Sequence, residues 1–493
     1  MELDKGGEGH GQLQGRWTHH PLALMYLASA ARERFVDIEF RILHTATCDD
    51  FPTEVTAVLD TFQPDVVGLR SLSIFQEQFK QTANLIRERL ADVTLIGGGP
   101  YSSGSYKQIL ENKLVDIVVI NEGEETFTNL IAELKQETPS ITNLAGIAIL
   151  DAEGKCLKNP DAMPITDLDS LPFPAYDLIN PKDYEGLSNQ SFQSASKSAF
   201  IYSTRGCPYR CFYCSAALTK KVRKRSPENV VLEMEKHYYE RGVRDFVFVD
   251  DIFNVPISAS KKTLSLIAHR LPDVKLNFSN GLRADQIDEE FLDLLQEVGA
   301  CHISLAVETA VPRLQKMIGK FLNLDKTHDV IQEATQRFVV CCYFMVGFPT
   351  ETFDEALSTV RYAQAFPSLA HPVLSIVRIY QGTPLFDFLE PTEEQLAKLD
   401  KQASSALQPS LWGEIPFYGD LFPDDKVPLS GKMMNEIRVD WSRNVILNEE
   451  RIHNSHKILE KHYDKEQRLS FYRNFFDQPH YSNEQLELFL RLK

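Results

Sequence analysis

The chain has 493 residues, too many for one ordinary core, and its 43% hydrophobic and 25% charged residues match a folded protein of two or three domains. A formal net charge of −17 argues against broad nucleic-acid binding, which needs a basic surface to release counterions. No apolar run approaches the roughly 18 residues that span a bilayer, and the polar opening MELDKGGEGHGQ does not read as a secretory signal, so the expected location is the cytoplasm, with no membrane span.

In chain order, HPLALMYLASAARERF (20–35) has the spacing of an amphipathic helix, DIEFRILH (37–44) reads as a strand, and EVTAVLDTFQ (54–63) as a helix. DVVGLRSLS (65–73) is a second strand, followed by a helix over 75–90, and VTLIGGGP (93–100) is a strand that runs into a glycine turn. A helix (106–113), the strand DIVVINEG (116–123) and a helix (124–136) complete the alternation, which predicts a parallel, Rossmann-like sheet over 1–140. The opening residues are polar and lead almost straight into a helix, so a first strand is expected to be missing. Over 141–195, two short strands, LAGIAILD and GKCLKNP, precede a linker, ITDLDSLPFPAYDLI, whose prolines break helices.

A second alternation occupies 196–388, with six apolar strands from AFIYSTRG to VLSIVRIY separated by helices such as PENVVLEMEKHYYERG. Six units predict a partial β/α barrel with its chemistry at the carboxyl ends of the strands. The remainder, 389–493, is irregular and then charged and helical; it is expected to form either a lid over the barrel or a surface cap.

Eight cysteines are present, and three of them, Cys207, Cys211 and Cys214, form C-x3-C-x2-C directly after the first barrel strand. Three thiolates can hold three irons of a [4Fe–4S] cluster and leave the fourth iron open. A closed zinc site requires a fourth ligand, and no fourth cysteine lies nearby.

This arrangement resembles the radical S-adenosylmethionine (SAM) superfamily. The resemblance extends to FVFVDDIF, where Asp250 and Asp251 end the second strand and would contact the SAM amino group, and to NGLRAD, which places Arg283 after the third. SLAVETA puts Glu308 at the end of the fourth strand as a polar SAM contact, and MVGFPTET supplies the turn with Gly347 and Pro349. YQGTPLF resembles the last strand–turn motif, with Gln381 where proline is commoner. Each residue also has a structural alternative: the strand-end carboxylates as helix caps, Arg283 as the partner of a neighbouring acid, and the glycine and proline as turn formers. The resemblance implies that SAM chelates the open iron, is cleaved by one electron to a 5′-deoxyadenosyl radical, and that this radical abstracts hydrogen from an unactivated carbon. An electron donor such as flavodoxin or ferredoxin is implied as a partner.

LIGGGP and VDIVVINEGEETF resemble the cobalamin-binding domain that precedes many radical SAM barrels, with Gly97, Gly98, Gly99, Ser71 and Ser73 as the candidate contacts. The D-x-H-x-x-G motif of other cobalamin proteins is absent, and His44 has neither its aspartate nor its glycine. Cobalamin is expected as a cofactor, and the leading expectation is C-methylation of a small-molecule natural product or a peptide. A corrinoid-free epimerase, cyclase or rearrangement enzyme is the alternative, and a cobalamin or redox sensor module the non-enzymatic one. Cys341 and Cys342 are adjacent in a predicted strand, so one faces the barrel interior, where a thiol could return a hydrogen atom to a substrate radical; the alternative is that both are buried apolar residues.

Overall fold

The computed structural model describes residues 1–4, 18–214, 221–403 and 417–475. The chain divides into two compact units, Met1–Leu187 with Tyr380–Gly382, and Ser188–Ile379 with Thr383–Lys493.

The first unit is built on a six-stranded sheet in the order β1 to β6. Its strands are β1 (Glu2–Leu3), β2 (Val66–Ser71), β3 (Thr94–Gly98), β4 (Ile117–Val119), β5 (Ile147–Leu150) and β6 (Cys156–Lys158). β1 to β4 run parallel, whereas β5 and β6 are added antiparallel. Both faces are buried, as parallel strands require: Val67, Leu69, Leu95 and Val118 pack with Phe79 and Ile86 on one side, and Ile96, Ile117 and Val119 with Leu130 on the other. The two strands expected ahead of the linker therefore extend this sheet.

Two expectations for this unit are corrected. A first strand does exist, because Glu2 and Leu3 pair in parallel with Arg70 and Ser71. It escapes notice because only one of its two residues is apolar. DIEFRILH, conversely, is not a strand, and only His44 forms an isolated bridge to Glu2. β1 offers just two residues to pair with, so the preceding positions have no ladder to join.

The second unit carries six parallel strands in the order β14–β13–β12–β11–β10–β7. They are β7 (Ser198–Ile201), β10 (Asp245–Phe248), β11 (Lys275–Leu282), β12 (Ala300–Glu308), β13 (Val339–Val346) and β14 (His371–Ile376); a small antiparallel pair, β8 (Thr204–Arg205) with β9 (Arg223–Lys224), follows the first. Local chemistry sets the helix boundaries between them. Ser226 caps helix Pro227–Arg241, which begins on proline and ends at Gly242 with φ +66°. Asp288 caps Glu289–Glu297, and Thr352 and Glu355 form a reciprocal capping box on Phe353–Gln364.

The C-terminal helices pack at the starts of the barrel strands. Arg451 is fully engaged with backbone carbonyls of Leu369, Ala370, Val445 and Ile446. Tyr463 donates to the Ser191 carbonyl at 2.7 Å, and Phe192 packs edge-on to Phe471 and His371. These contacts close the end of the barrel opposite the cysteine loop, so helices Glu449–His462 and Lys465–Phe475 act as a base rather than a lid. Among the described residues, no helix is long and apolar enough to cross a membrane.

Candidate active site

Strands β10, β11, β12 and β13 each lead into a polar residue at or just beyond their carboxyl ends, and these residues converge on the segment 203–214 that carries the three cysteines. Asp250 is buried just beyond β10, where one carboxylate oxygen accepts from the Ser203 amide at 2.8 Å, the Ser203 hydroxyl at 3.0 Å, the Thr204 hydroxyl at 2.7 Å and the Thr204 amide. Its other oxygen is buried without a protein partner, and burial raises its pKa to about 6 despite those donors. Asp251 accepts from the Gly206 amide at 3.0 Å, one residue before Cys207.

Arg283 is 6% exposed and uses its whole fork. It binds Asp285 through Nε at 2.8 Å and Nη2 at 3.1 Å, and it donates to the carbonyls of Lys320 and Phe321. Its guanidinium lies 3.9 Å from the ring centroid of Tyr209, inside the cysteine segment. Asn254 fixes the Arg283 backbone through two 2.9 Å hydrogen bonds. Glu308 sits at a register shift between β12 and β13 with φ +66°, a conformation rare for a non-glycine residue. It pairs with Lys320 at 2.8 Å and stands close to Tyr213, whose phenol burial pushes well above its ordinary pKa.

The turn after β13 completes the enclosure. Gly347 has φ +88°, and a Cβ there would lie 2.8 Å from the Phe417 ring, so glycine is required on both counts. Tyr418 donates to the Gly347 carbonyl at 2.6 Å, the Phe348 ring meets Tyr213 at 5.6 Å between centroids, and Pro349 is buried. Glu351 holds this turn from beneath, with one oxygen accepting from the amides of Gly347 (2.5 Å) and Phe348 (2.9 Å) and the other buried without a protein partner. The remaining backbone of the cysteine segment is pinned as well. Phe212 donates to the Ile318 carbonyl and accepts from the Leu385 amide, both at 2.9 Å.

The Glu351 carboxyl is raised from its ordinary value to about 8, first by burial. A pKa higher in the folded than in the unfolded state gives stability that is complete below the ordinary carboxylate range and lost as pH climbs through about 8. Glu351→Gln imitates the neutral form and removes this loss. In urea unfolding between about pH 5 and pH 8, wild type should lose up to about 1.4 kcal/mol per pH unit relative to the variant. Parallel pH profiles would show that the carboxyl is ionised in the fold.

Of the residues expected to contact SAM, Asp250, Asp251, Arg283 and Glu308 are thus engaged in holding the cysteine segment. Lys320, Asn254, Glu351 and the two tyrosines were not singled out from the sequence. Only the tyrosines left a signal there, because they stand inside C-x3-C-x2-C.

Cys341 and Cys342 are both buried and point to opposite faces of β13. Cys341 is close to Tyr343 and Ser304, while Cys342 is near Tyr362 of helix Phe353–Gln364. Cys341 is registered with Ser304 and His371 near the strand starts, and its five-residue separation from Val346 amounts to roughly 16 Å of strand. That depth gives no support to a hydrogen-donor role at the strand ends.

In the first unit, Ser71 and Gly97–Gly99 gather at the carboxyl ends of β2 and β3, with Ser73 in the turn that follows. Gly99 has φ +82°, and a Cβ there would crowd Arg70 and the Ser71 carbonyl, whereas Gly98 faces open space. The Ser71 and Ser102 hydroxyls are buried without protein partners. His44 is buried, with Nδ1 3.1 Å from the Tyr184 hydroxyl and Nε2 3.6 Å from Asp4.

A family model described as the radical SAM superfamily matches residues 201–363, and one described as a B12 binding domain matches 16–131. The chain thus carries a radical SAM domain and, ahead of it, a B12-binding domain. An uncharacterized methyltransferase of Pyrococcus horikoshii is 27% identical over 379 residues, 75% of this chain and 78% of that protein. An anaerobic magnesium-protoporphyrin IX monomethyl ester cyclase of Rubrivivax gelatinosus is 24% identical over 422 residues, 84% and 73% of the two chains. The structure of a radical SAM methyltransferase, TsrM, from Kitasatospora setae superposes with a TM-score of 0.63 at 20% identity, covering 77% of this chain and 76% of that one, which establishes a shared fold.

A radical SAM enzyme with a B12-binding domain calls for a [4Fe–4S] cluster, SAM and cobalamin, and the residues present fit these groups. All eight cysteines are thiols. Cys207, Cys211 and Cys214 are partly exposed within eight residues, and Cys214 closes a turn onto the Cys211 carbonyl at 3.0 Å. Burial raises the pKa of Cys207 and Cys211, and each of these thiols feels another member of the trio. Among the described residues, no three His, Cys, Asp or Glu side chains are already gathered as a metal-ready group, so the fit rests on the donor set and its rigid surroundings. For the corrinoid, it rests on the two unpartnered serine hydroxyls beside the open backbone at Gly98.

Proposed function

We propose that this radical SAM enzyme methylates an unactivated carbon of a small molecule or peptide with the help of cobalamin. The observation that carries the proposal is the convergence of four barrel strand ends on one three-thiol segment, in a chain that also carries a B12-binding domain. Cys207, Cys211 and Cys214 would hold the cluster, and Ser71, Ser73 and Gly97–Gly99 would line the corrinoid side. When bound, the cluster supplies the electron that cleaves SAM, and the corrinoid supplies the methyl group.

The chain's own residues provide order and exclusion of water. Asp250 and Asp251 fix the approach to Cys207, Arg283 holds Tyr209, and Glu308 with Phe348 holds Tyr213. These contacts leave few soft degrees of freedom around the thiols, as a site with tightly specified geometry requires. A flavodoxin or ferredoxin would supply the electron.

The test is an anaerobic reaction with methyl-labelled SAM, reconstituted protein and hydroxocobalamin, applied to candidate metabolite and peptide fractions. The proposal expects a labelled product one methyl group heavier than its precursor. Ring closure without added label would instead favour cyclisation, the reading supported by the cyclase relative. Failure of the protein to retain corrinoid after desalting would contradict methyl transfer.

A further inference from the structure

Reductive cleavage of SAM consumes one electron, breaks a sulfonium C–S bond and yields methionine, so a donor must become one electron more oxidised at each event. Among the described residues, no second group of cysteines is gathered for this purpose. Apart from the trio its cysteines are Cys48, Cys156, Cys301, Cys341 and Cys342, of which only the last two are adjacent, and both of those are buried on opposite faces of β13. The electron therefore arrives from outside, at whatever surface adjoins the cysteine segment.

That surface has a distinct character. Phe321 is 64% exposed and Phe388 45% exposed, and both touch the segment's supports. The Phe321 carbonyl accepts from Arg283, which covers Tyr209, while the Phe388 ring lies 5.6 Å from that of Phe212. Arg210 is exposed within the segment, and its carbonyl packs so closely on Gly319 that a Cβ there would approach to 2.8 Å. Lys316, one turn before Gly319, and Lys221, just ahead of the strand that pairs with Thr204–Arg205, are also exposed. Beside Phe321 opens a cavity of about 570 Å³ bounded by Pro312, Lys316, Leu324 and Tyr362. Asp325 and Asp387 stand at the margins.

We infer that this rim, centred on Arg210, Lys316 and Phe321, is the docking surface for a small acidic one-electron carrier protein. The inference rests on the function proposed above. Three exposed cations stand around one segment of a chain whose net charge is −17, with Asp251 and Asp387 as the exposed acids beside it. Local charge of opposite sign thus selects both the partner and its orientation. The exposed aromatic rings and the adjoining cavity supply the apolar centre that a transient contact needs.

The experiment compares Lys316→Glu and Phe321→Asn with wild type in forming methionine and 5′-deoxyadenosine under two kinds of reductant. One is a bacterial flavodoxin reduced by its NADPH-dependent reductase, with a reduced two-cluster ferredoxin run in parallel; the other is dithionite. With a carrier protein, the KM for that carrier should rise about tenfold or more in Lys316→Glu, and the salt dependence seen in wild type should weaken. Dithionite-driven cleavage should stay near the wild-type rate in both variants.

Unchanged carrier-driven rates would overturn the docking surface, and so would equal losses with both kinds of reductant, which would assign these residues to the fold or the cluster site. Wild-type cleavage with dithionite but with neither carrier would also overturn it. No cleavage by wild type even with dithionite would instead sink the proposed function, and the docking surface with it.

Discussion

Replacing any one of Cys207, Cys211 and Cys214 by alanine is expected to abolish both iron retention and SAM cleavage. Each variant removes one of three protein ligands, and no spare cysteine stands within reach in sequence. Changes outside the ligand set of a metal site already cost about 10–100-fold, so direct loss of a ligand should exceed about a hundredfold in 5′-deoxyadenosine formation. The fold should survive, because the thiols themselves bear little of the packing. The segment is held instead by Asp250, Asp251, Phe212 and the two tyrosines. Iron and sulfide analysis of anaerobically reconstituted variants, beside their circular dichroism, separates the two effects. A variant that retained wild-type iron and turnover would remove that cysteine from the site.

Arg283→Met is expected to be the most damaging change outside the cysteines. It removes five interactions at once, namely two bonds to Asp285, two to the carbonyls of Lys320 and Phe321, and the contact with Tyr209. Asp285 is 8% exposed and would remain as a buried carboxylate without its counter-charge. Breaking a buried pair from one side costs about 3–5 kcal/mol, mostly as the penalty on the stranded partner. Pairing the change with Asp285→Asn should therefore recover part of the loss. Arg283→Lys should fall between, since an ammonium keeps the charge but not the planar fork that binds an acid, two carbonyls and a ring together. Urea unfolding reports the stability, and iron content reports whether Tyr209 still holds the cysteine segment. Wild-type values for Arg283→Met in both measurements would show that the clamp is dispensable.

The parts of this site that were legible in the sequence are those written in short consecutive stretches. C-x3-C-x2-C after an apolar strand, the paired aspartates after FVFV and the glycine–proline turn after FMV each combine a strand period with a polar or turn residue at its end. That pattern also predicted the six strands of the second unit. What the sequence concealed depends on residues distant along the chain. Lys320 follows Glu308 by twelve positions and meets it only because the turn at Gly319 folds back on Arg210. The carboxylate of Asp250 points at Ser203 and Thr204, 47 and 46 residues earlier, a direction no local pattern encodes. Strand β1 was missed for a different reason. Two residues cannot show a period, and their pairing is set by the neighbouring β2. The overestimate of 37–44 has the same origin, because alternation was present where no neighbouring ladder was long enough to use it.

A structural role for strand-end carboxylates also changes how substitutions there should be interpreted. Asp250 and Glu308 each support a different stretch of the cysteine segment, so their loss would act on cluster assembly before it acted on SAM binding. Iron content must therefore accompany any activity measured on such variants.

The most direct measurement of the central claim is electron paramagnetic resonance of the anaerobically reconstituted, reduced protein before and after addition of SAM. An iron left without a protein ligand by Cys207, Cys211 and Cys214 predicts a reduced [4Fe–4S] signal that shifts when SAM is added, because SAM takes the open position. Zinc in place of iron, or a cluster signal that SAM leaves unchanged, would contradict it.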